Sequence, residues 1–154
     1  MKKEHIVSYE ELRWEELTEQ DRTLLEAAIE ATDTSHSPYS HFRVGAALRL
    51  ASGETVTGSN QENIAYPSGM CAERTAMFAA ATQHPGEAFD TLAVVARNPE
   101  GALCGASPCG ACRQVMAEYE TKQQRKMRVL VFFSKGKILI FDSVECLLPF
   151  CFEM

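Results

Sequence analysis

From Glu19 to Thr32 the apolar residues Leu24, Leu25, Ala28 and Ile29 recur three and four positions apart, which places them on one face of a helix. The stretch Ser35-His36-Ser37-Pro38-Tyr39-Ser40 breaks that pattern, and its proline and hydroxyl side chains read as loop. Val44 to Leu50 is an apolar strand, Ser52-Gly53 a tight turn, and Thr55 to Ser59 the returning arm of a hairpin. The alanine-rich run Cys71 to Gln83 predicts a second helix, and Gly110 to Tyr119 a third. Leu92 to Ala96 and Val129 to Phe133 are unbroken apolar runs, as expected of strands covered on both faces. Lys135-Gly136 then turns the chain into Lys137 to Phe141, an expected edge strand. The order α-β-β-α-β-α-β-β predicts the α/β class, as a three-layer α/β/α sandwich around one mixed five-stranded sheet. Residues 1–154 are expected to form one domain, with 1–18 an N-terminal extension to which no role is assigned.

Composition narrows the class of function. At 154 residues, 45% hydrophobic and 23% charged, the chain has the make-up of a soluble globular domain with a sizeable core. No apolar run approaches a membrane span, and Met1-Lys2-Lys3-Glu4-His5 lacks the apolar core of a signal peptide, so a cytoplasmic location is expected. A net charge of −6 argues against a long nucleic acid as partner, since phosphates call for a basic face. The concentrated basic stretch Lys122 to Arg128 reads as a solvated helix end or loop. The expected partner is a small, weakly charged molecule, with neither nucleic acid nor membrane involved. Without an export signal, the cysteines at 71, 104, 109, 112, 146 and 151 read as metal ligands, catalytic groups or small core residues rather than disulfides.

Two of the cysteine positions share a context. Cys71 follows a strand and the loop Asn60 to Met70, at the start of a helix. Pro108-Cys109-Gly110-Ala111-Cys112 also follows a strand and opens a helix. A helix N-terminus offers positive partial charge and free N–H groups, which lower a thiol pKa toward the thiolate that binds metal. Three thiolates suit zinc. There is no second Cys-x-x-Cys, and Cys104, Cys146, Cys151 and the four histidines fall outside ligand spacing. Three ligands and an open fourth position are the arrangement of a catalytic rather than a structural zinc site. Glu73, two residues after Cys71, can enter the same pocket without binding the metal. There it can take a proton from the attacking water and pass it to a ring nitrogen and a leaving amine. Alone, a Glu in a first helical turn reads as a favourable charge for the helix dipole. Cys-x-Glu joined to Pro-Cys-x-x-Cys matches the three-cysteine form of the zinc deaminase signature.

With these motifs the sequence resembles the cytidine deaminase family of small homo-oligomeric enzymes. The resemblance runs over roughly residues 20 to 152, through Ser37-Pro38-Tyr39-Ser40-His41-Phe42-Arg43-Val44-Gly45-Ala46-Ala47, Asn60-Gln61-Glu62-Asn63, Cys71-Ala72-Glu73-Arg74-Thr75-Ala76, Ser107-Pro108-Cys109-Gly110-Ala111-Cys112-Arg113-Gln114, and Leu147-Leu148-Pro149 ahead of Phe152. It implies hydrolytic deamination of cytidine and deoxycytidine in pyrimidine salvage, one zinc per chain, and a homotetramer whose sites are completed by neighbouring chains. It implies Cys71, Cys109 and Cys112 as zinc ligands and Glu73 as proton shuttle. It further implies Phe42 beside the base, Asn60 and Glu62 on the ribose 3′-hydroxyl, the Ala72 N–H on the base carbonyl and Tyr66 near the sugar. Phe152 would lie over the base of a neighbouring chain. Arg74 matches a residue that offsets the −1 charge of three thiolates and Zn²⁺ by donating to the ligand sulfurs. The sequence departs from the family at Cys146, where an acidic residue is common, and in ending two residues after Phe152, where many members continue into a helix. Three other readings compete: a nucleotide or nucleic-acid deaminase, a deaminase of blasticidin-type nucleoside antibiotics, and a structural zinc module that binds a partner. The first more often begins with His than with Cys71, the Asn-x-Glu-Asn stretch suits a plain ribose, and Glu73 with the missing fourth ligand opposes the last.

Overall fold

A computed structural model describes residues 1–152. All eight predicted elements form: helices α1 (Glu19–Ala31), α2 (Ala72–Gln83) and α3 (Gly110–Gln123), and strands β2 (Arg43–Leu50), β3 (Thr55–Ser59), β4 (Phe89–Arg97), β6 (Arg128–Phe132) and β7 (Lys137–Phe141). Two further strands, β1 (Glu10–Arg13) and β5 (Leu103–Cys104), bring the sheet to seven strands rather than the expected five. Both lack the pattern that reveals a strand in sequence. β5 has two residues, too few to show a period. β1 carries charged side chains and joins the sheet through its backbone, with Glu10 opposite Ile140 and Arg13 opposite Lys137. The N-terminal extension thus covers β7, so the expected edge strand is an inner one and β1 forms the edge.

The sheet order is β1-β7-β6-β4-β2-β3, with β5 beside β4. β4 and β6 are parallel and every other pair is antiparallel, so the sheet is mixed. Successive residues of β4 face opposite ways. Ala93 and Val95 meet Leu24, Leu25 and Ala28 of α1, while Leu92 and Val94 meet Ala76 and Met77 of α2 and Met116 of α3. Burial on both faces is why this strand reads as a continuous apolar run.

Glycine sets the closeness of two of these contacts. A Cβ on Gly45 would lie 2.0 Å from the Ala28 carbonyl oxygen of α1. On Gly58 it would lie 2.5 Å from the Ala76 nitrogen of α2. The hairpin β2–β3 is therefore gripped by a helix on each side, and the position of α2, which begins at the site, is fixed against β3. The stretch Lys122 to Arg128 is not simply solvated, because Arg125 reaches Asp90 at 2.7 Å and Arg128 grips Asp21 through two bonds of 3.0 Å. Among the described residues no helix is long and apolar enough to cross a membrane.

Candidate active site

Cys71 and Cys109 occupy the N-cap positions of α2 and α3, and Cys112 lies in the first turn of α3. Neither N-cap side chain makes a capping hydrogen bond to its helix. Both sulfurs turn instead toward a shared point. The Cys71 and Cys109 sulfurs are 3.7 Å apart, those of Cys109 and Cys112 3.5 Å apart, and all three lie within 4.8 Å of one another. Tetrahedral zinc with bonds of about 2.3 Å separates its sulfur ligands by about 3.8 Å, so the three thiols fit zinc in number, chemistry and spacing. Among the described residues they are the one such group of His, Cys, Asp or Glu side chains.

Protonation within the cluster is unequal. The Cys112 thiol donates to Cys71 and, with Arg74 and Cys109 assisting, holds Cys71 well below the usual thiol range. Cys112 is pushed up by the same partnership and by burial. The Nη2 of Arg74 donates to the Cys71 sulfur at 3.4 Å, which raises the pKa of the guanidinium. Arg74 is therefore bonded to a sulfur of the thiol cluster rather than to a surface carboxylate. Glu73, in the first turn of α2, is 4% exposed. Burial pushes its carboxyl up to about 7, and the negative charge at Cys71 adds to the rise.

A cavity of about 750 Å³ opens over this cluster, lined among others by Phe42, Asn60, Glu62, Tyr66, Ala72 and Glu73. It sits at the end of the sheet where β4 and β6 finish, since Ala106 of the lining bonds the carbonyl of Phe132, the last residue of β6. Strand carboxyl ends are the usual place for ligands in open α/β sheets. Of the other predicted residues, Cys112 and Arg74 belong to the thiol cluster without lining the cavity, and Phe152 stays outside both. Phe152 is 74% exposed and does not line the cavity of its own chain.

Two supports of this cavity have no local signal in the sequence. The Asn60 Oδ1 accepts from Ser35 Oγ at 2.5 Å and Val44 N at 2.8 Å, while Nδ2 donates to the Phe42 carbonyl at 2.9 Å. Asn60 thereby fixes the entry of β2 and the residue Phe42. Glu62 accepts from the backbone N–H groups of Tyr39 and Ser40 at 2.9 and 3.2 Å, and from the Ser40 hydroxyl. The Ser40 bond leads in lowering the Glu62 pKa, so the carboxylate is held ionised. Tyr39 and Tyr66 meet edge to face above it, ring centres 6.2 Å apart. Ser35 and Ser40 stand more than twenty residues from the side chains they orient, and only the fold makes them neighbours.

The chain is similar to known proteins along most of its length. A family model described as the cytidine and deoxycytidylate deaminase zinc-binding region matches residues 18–126. A protein named cytidine deaminase from Halalkalibacterium halodurans is 44% identical over 95 residues, covering 62% of this chain and 68% of that protein. A blasticidin-S deaminase from Bacillus cereus is more distant, at 31% over 108 residues, covering 67% of this chain and 75% of that one. Among solved structures, a cytidine deaminase from Burkholderia pseudomallei superposes with a TM-score of 0.73 at 38% identity, covering 88% of this chain and all of that one. The match to the family model over most of the chain, which includes the three gathered thiols, places this protein in the cytidine and deoxycytidylate deaminase zinc-binding family.

Proposed function

We propose that this protein hydrolyses cytidine and deoxycytidine to the corresponding uracil nucleosides and ammonia. The observation that carries this reading is Glu73, a buried carboxyl that exchanges its proton near neutrality, set in the cavity beside three thiols that fit zinc. Zinc held by Cys71, Cys109 and Cys112 supplies a water acidified enough to be a nucleophile at neutral pH. Glu73, as carboxylate, would take one proton from the attacking water and deliver it to N3 as the C4–O bond forms. It would then take the proton left on the added hydroxyl and deliver it to the exocyclic nitrogen, as the C4–N bond breaks and ammonia leaves. The N–H of Ala72, in the uncapped first turn of α2, donates to the base carbonyl. Phe42 flanks the base and Tyr66 the sugar. Glu62, an acceptor already ionised by its Ser40 and backbone bonds, accepts a hydrogen bond from the 3′-hydroxyl, and Asn60 donates its remaining amide hydrogen to the same oxygen. Arg74, donating to Cys71, draws charge from the thiolate set.

The assembly that completes this reading is a homotetramer in which Phe152 covers the base in a neighbouring chain. Its exposure, and its position outside its own cavity, are what support that placement. Ammonia release measured with cytidine, deoxycytidine, CMP and blasticidin S tests the substrate. Both nucleosides should turn over, and CMP and blasticidin S should fall at least about 100-fold lower in kcat/KM, because Glu62 repels a phosphate near the sugar and the loop suits a plain ribose. Equal turnover of CMP, or a preference for blasticidin S, overturns it.

A further inference from the structure

Three consecutive residues near the start of α3 divide their contacts between the metal loop and the segment that ends at Phe152. Cys112 belongs to the thiol cluster. Arg113 donates through Nε to the Pro108 carbonyl at 2.8 Å and through Nη2 to Ser107 Oγ at 3.0 Å, and reaches across with Nη1 to the Leu147 carbonyl at 2.7 Å. Gln114 then pairs with the backbone of Phe152 in both directions. Its Nε2 donates to the Phe152 carbonyl at 3.1 Å, and its Oε1 accepts from the Phe152 N–H at 3.0 Å. This is the reciprocal pattern of a bridge between two strands, made with a side chain in place of one strand.

The contrast with the ring itself is what gives the clamp meaning. Residues 149–152 lie in neither helix nor strand. Both polar backbone atoms of Phe152 are held, while the residue as a whole is left 74% exposed. An aromatic side chain buries best when packed. One whose backbone is tethered and whose ring stands in solvent is held for contact with something else. We propose that Gln114 is a positioning residue that fixes the backbone of Phe152, so that the ring projects to close the cavity of a neighbouring copy of this chain. The proposal rests on the composite site described above. Substrate affinity then depends on the fraction of time the ring is correctly placed, because apparent affinity falls in proportion to the competent population. Two hydrogen bonds of ordinary strength hold that population, so their loss lowers it about tenfold.

A double-mutant cycle with Gln114→Ala and Phe152→Ala tests this in the zinc-loaded protein, with kcat, KM, zinc content and native mass recorded for each variant. Gln114→Ala should raise KM for cytidine about tenfold with kcat within about twofold, and with zinc and oligomeric state unchanged. Phe152→Ala should raise KM at least as much, and the double variant should match Phe152→Ala alone, since without the ring there is nothing left to place. Gln114→Glu keeps the acceptor and loses the donor, so its KM should lie between the parent and Gln114→Ala. It carries the test if the alanine variant does not fold. If Phe152→Ala leaves KM unchanged, the composite site itself fails. If Phe152→Ala raises KM while Gln114→Ala does not, or the two effects add, or Gln114→Ala loses zinc, the composite site stands and the positioning role is overturned.

Discussion

The two ends of the parallel pair β4 and β6 bury charge in opposite ways. At the end where these strands begin, Asp21 of α1 is 3% exposed and receives both arms of the Arg128 guanidinium at 3.0 Å. Arg49 lies 3.9 Å from Asp21 and also binds Asp90 through Nε and Nη2 at 3.1 and 3.0 Å, and Arg125 takes the other Asp90 oxygen. Burial alone would raise the Asp90 pKa, but the bonds from Thr91 and Arg49 outweigh it and hold the carboxyl below its usual range. At the end where the strands finish, Glu73 is as deeply buried and has no such fork. Its pKa rises to about 7 instead. The Asp90 carboxyl, gripped by arginines, is held in its charged form, and the Arg128 fork on Asp21 ties elements together. A carboxyl left to burial exchanges its proton where an enzyme can use it.

Each side of that contrast can be broken separately. Glu73→Gln should lower kcat by about 10³–10⁴-fold or more while zinc and fold are retained, because one residue serves more than one transfer. Near-normal turnover in a zinc-loaded variant would remove Glu73 from the chemistry. Asp21→Asn should behave in reverse. It leaves Arg128 partly buried without its fork, and urea unfolding should register a loss of about 3 kcal/mol, with kcat/KM nearly unchanged. A fall in activity without a fall in stability would mean that the two ends are coupled.

The third test sharpens the comparison through pH in metal-stripped protein. The folded-state pKa of Glu73, about 7, lies above its ordinary value of 4.5, so folding opposes the charged form. The cost is absent below about pH 4.5, grows as pH rises through that window, and is complete above about pH 7. Glutamine carries no such cost. Between pH 5 and pH 8 the Glu73→Gln variant should therefore gain on its parent by on the order of 2 kcal/mol, measured by thermal or urea unfolding at each pH. A constant difference across that range would show the carboxyl to be free of the burial penalty. The smallest effect is expected from Arg74→Gln. Loss of the donor to Cys71 should shift the acid limb of the pH–rate profile alkaline by about one unit with zinc retained. An unmoved profile would confine Arg74 to packing.

How far the sequence could reveal these two ends follows from the same physics. The thiol site is legible because its parts are local: Cys71 and Glu73 share one helix start, Cys109 and Cys112 another, and their spacing carries the chemistry. The strands buried on both faces announce themselves as apolar runs. The arginine–aspartate network is not legible, since Asp21 and Arg128 are 107 residues apart and each has an ordinary local reading. Asp21 looks like a first-turn helix charge and Arg128 like part of a solvated basic stretch. β1 escapes notice because backbone pairing at a sheet edge makes no demand on side-chain polarity. The apolar stretch from Leu147 to Phe152 is visible, but hydrophobicity cannot say that Leu147 is buried while Phe150 and Phe152 remain 85% and 74% exposed.

The cysteines at the two helix starts also change how the protein should respond to losing its ion. α1 begins on Thr18, whose hydroxyl accepts from the Asp21 N–H at 3.2 Å. α2 and α3 begin on Cys71 and Cys109, whose side chains make no capping hydrogen bond to their helices. A hydroxyl or carboxamide at such a position is worth about 1 kcal/mol per helix, and here it is forgone so that sulfur can face the cavity. Zinc would supply part of the restraint that a capping hydroxyl supplies elsewhere, and in its absence the opening turns should fray more readily. Amide hydrogen exchange at residues 72–74 and 110–112 should therefore accelerate on chelation while the first turn of α1 stays protected, which makes the two helix starts a residue-level gauge of metal occupancy.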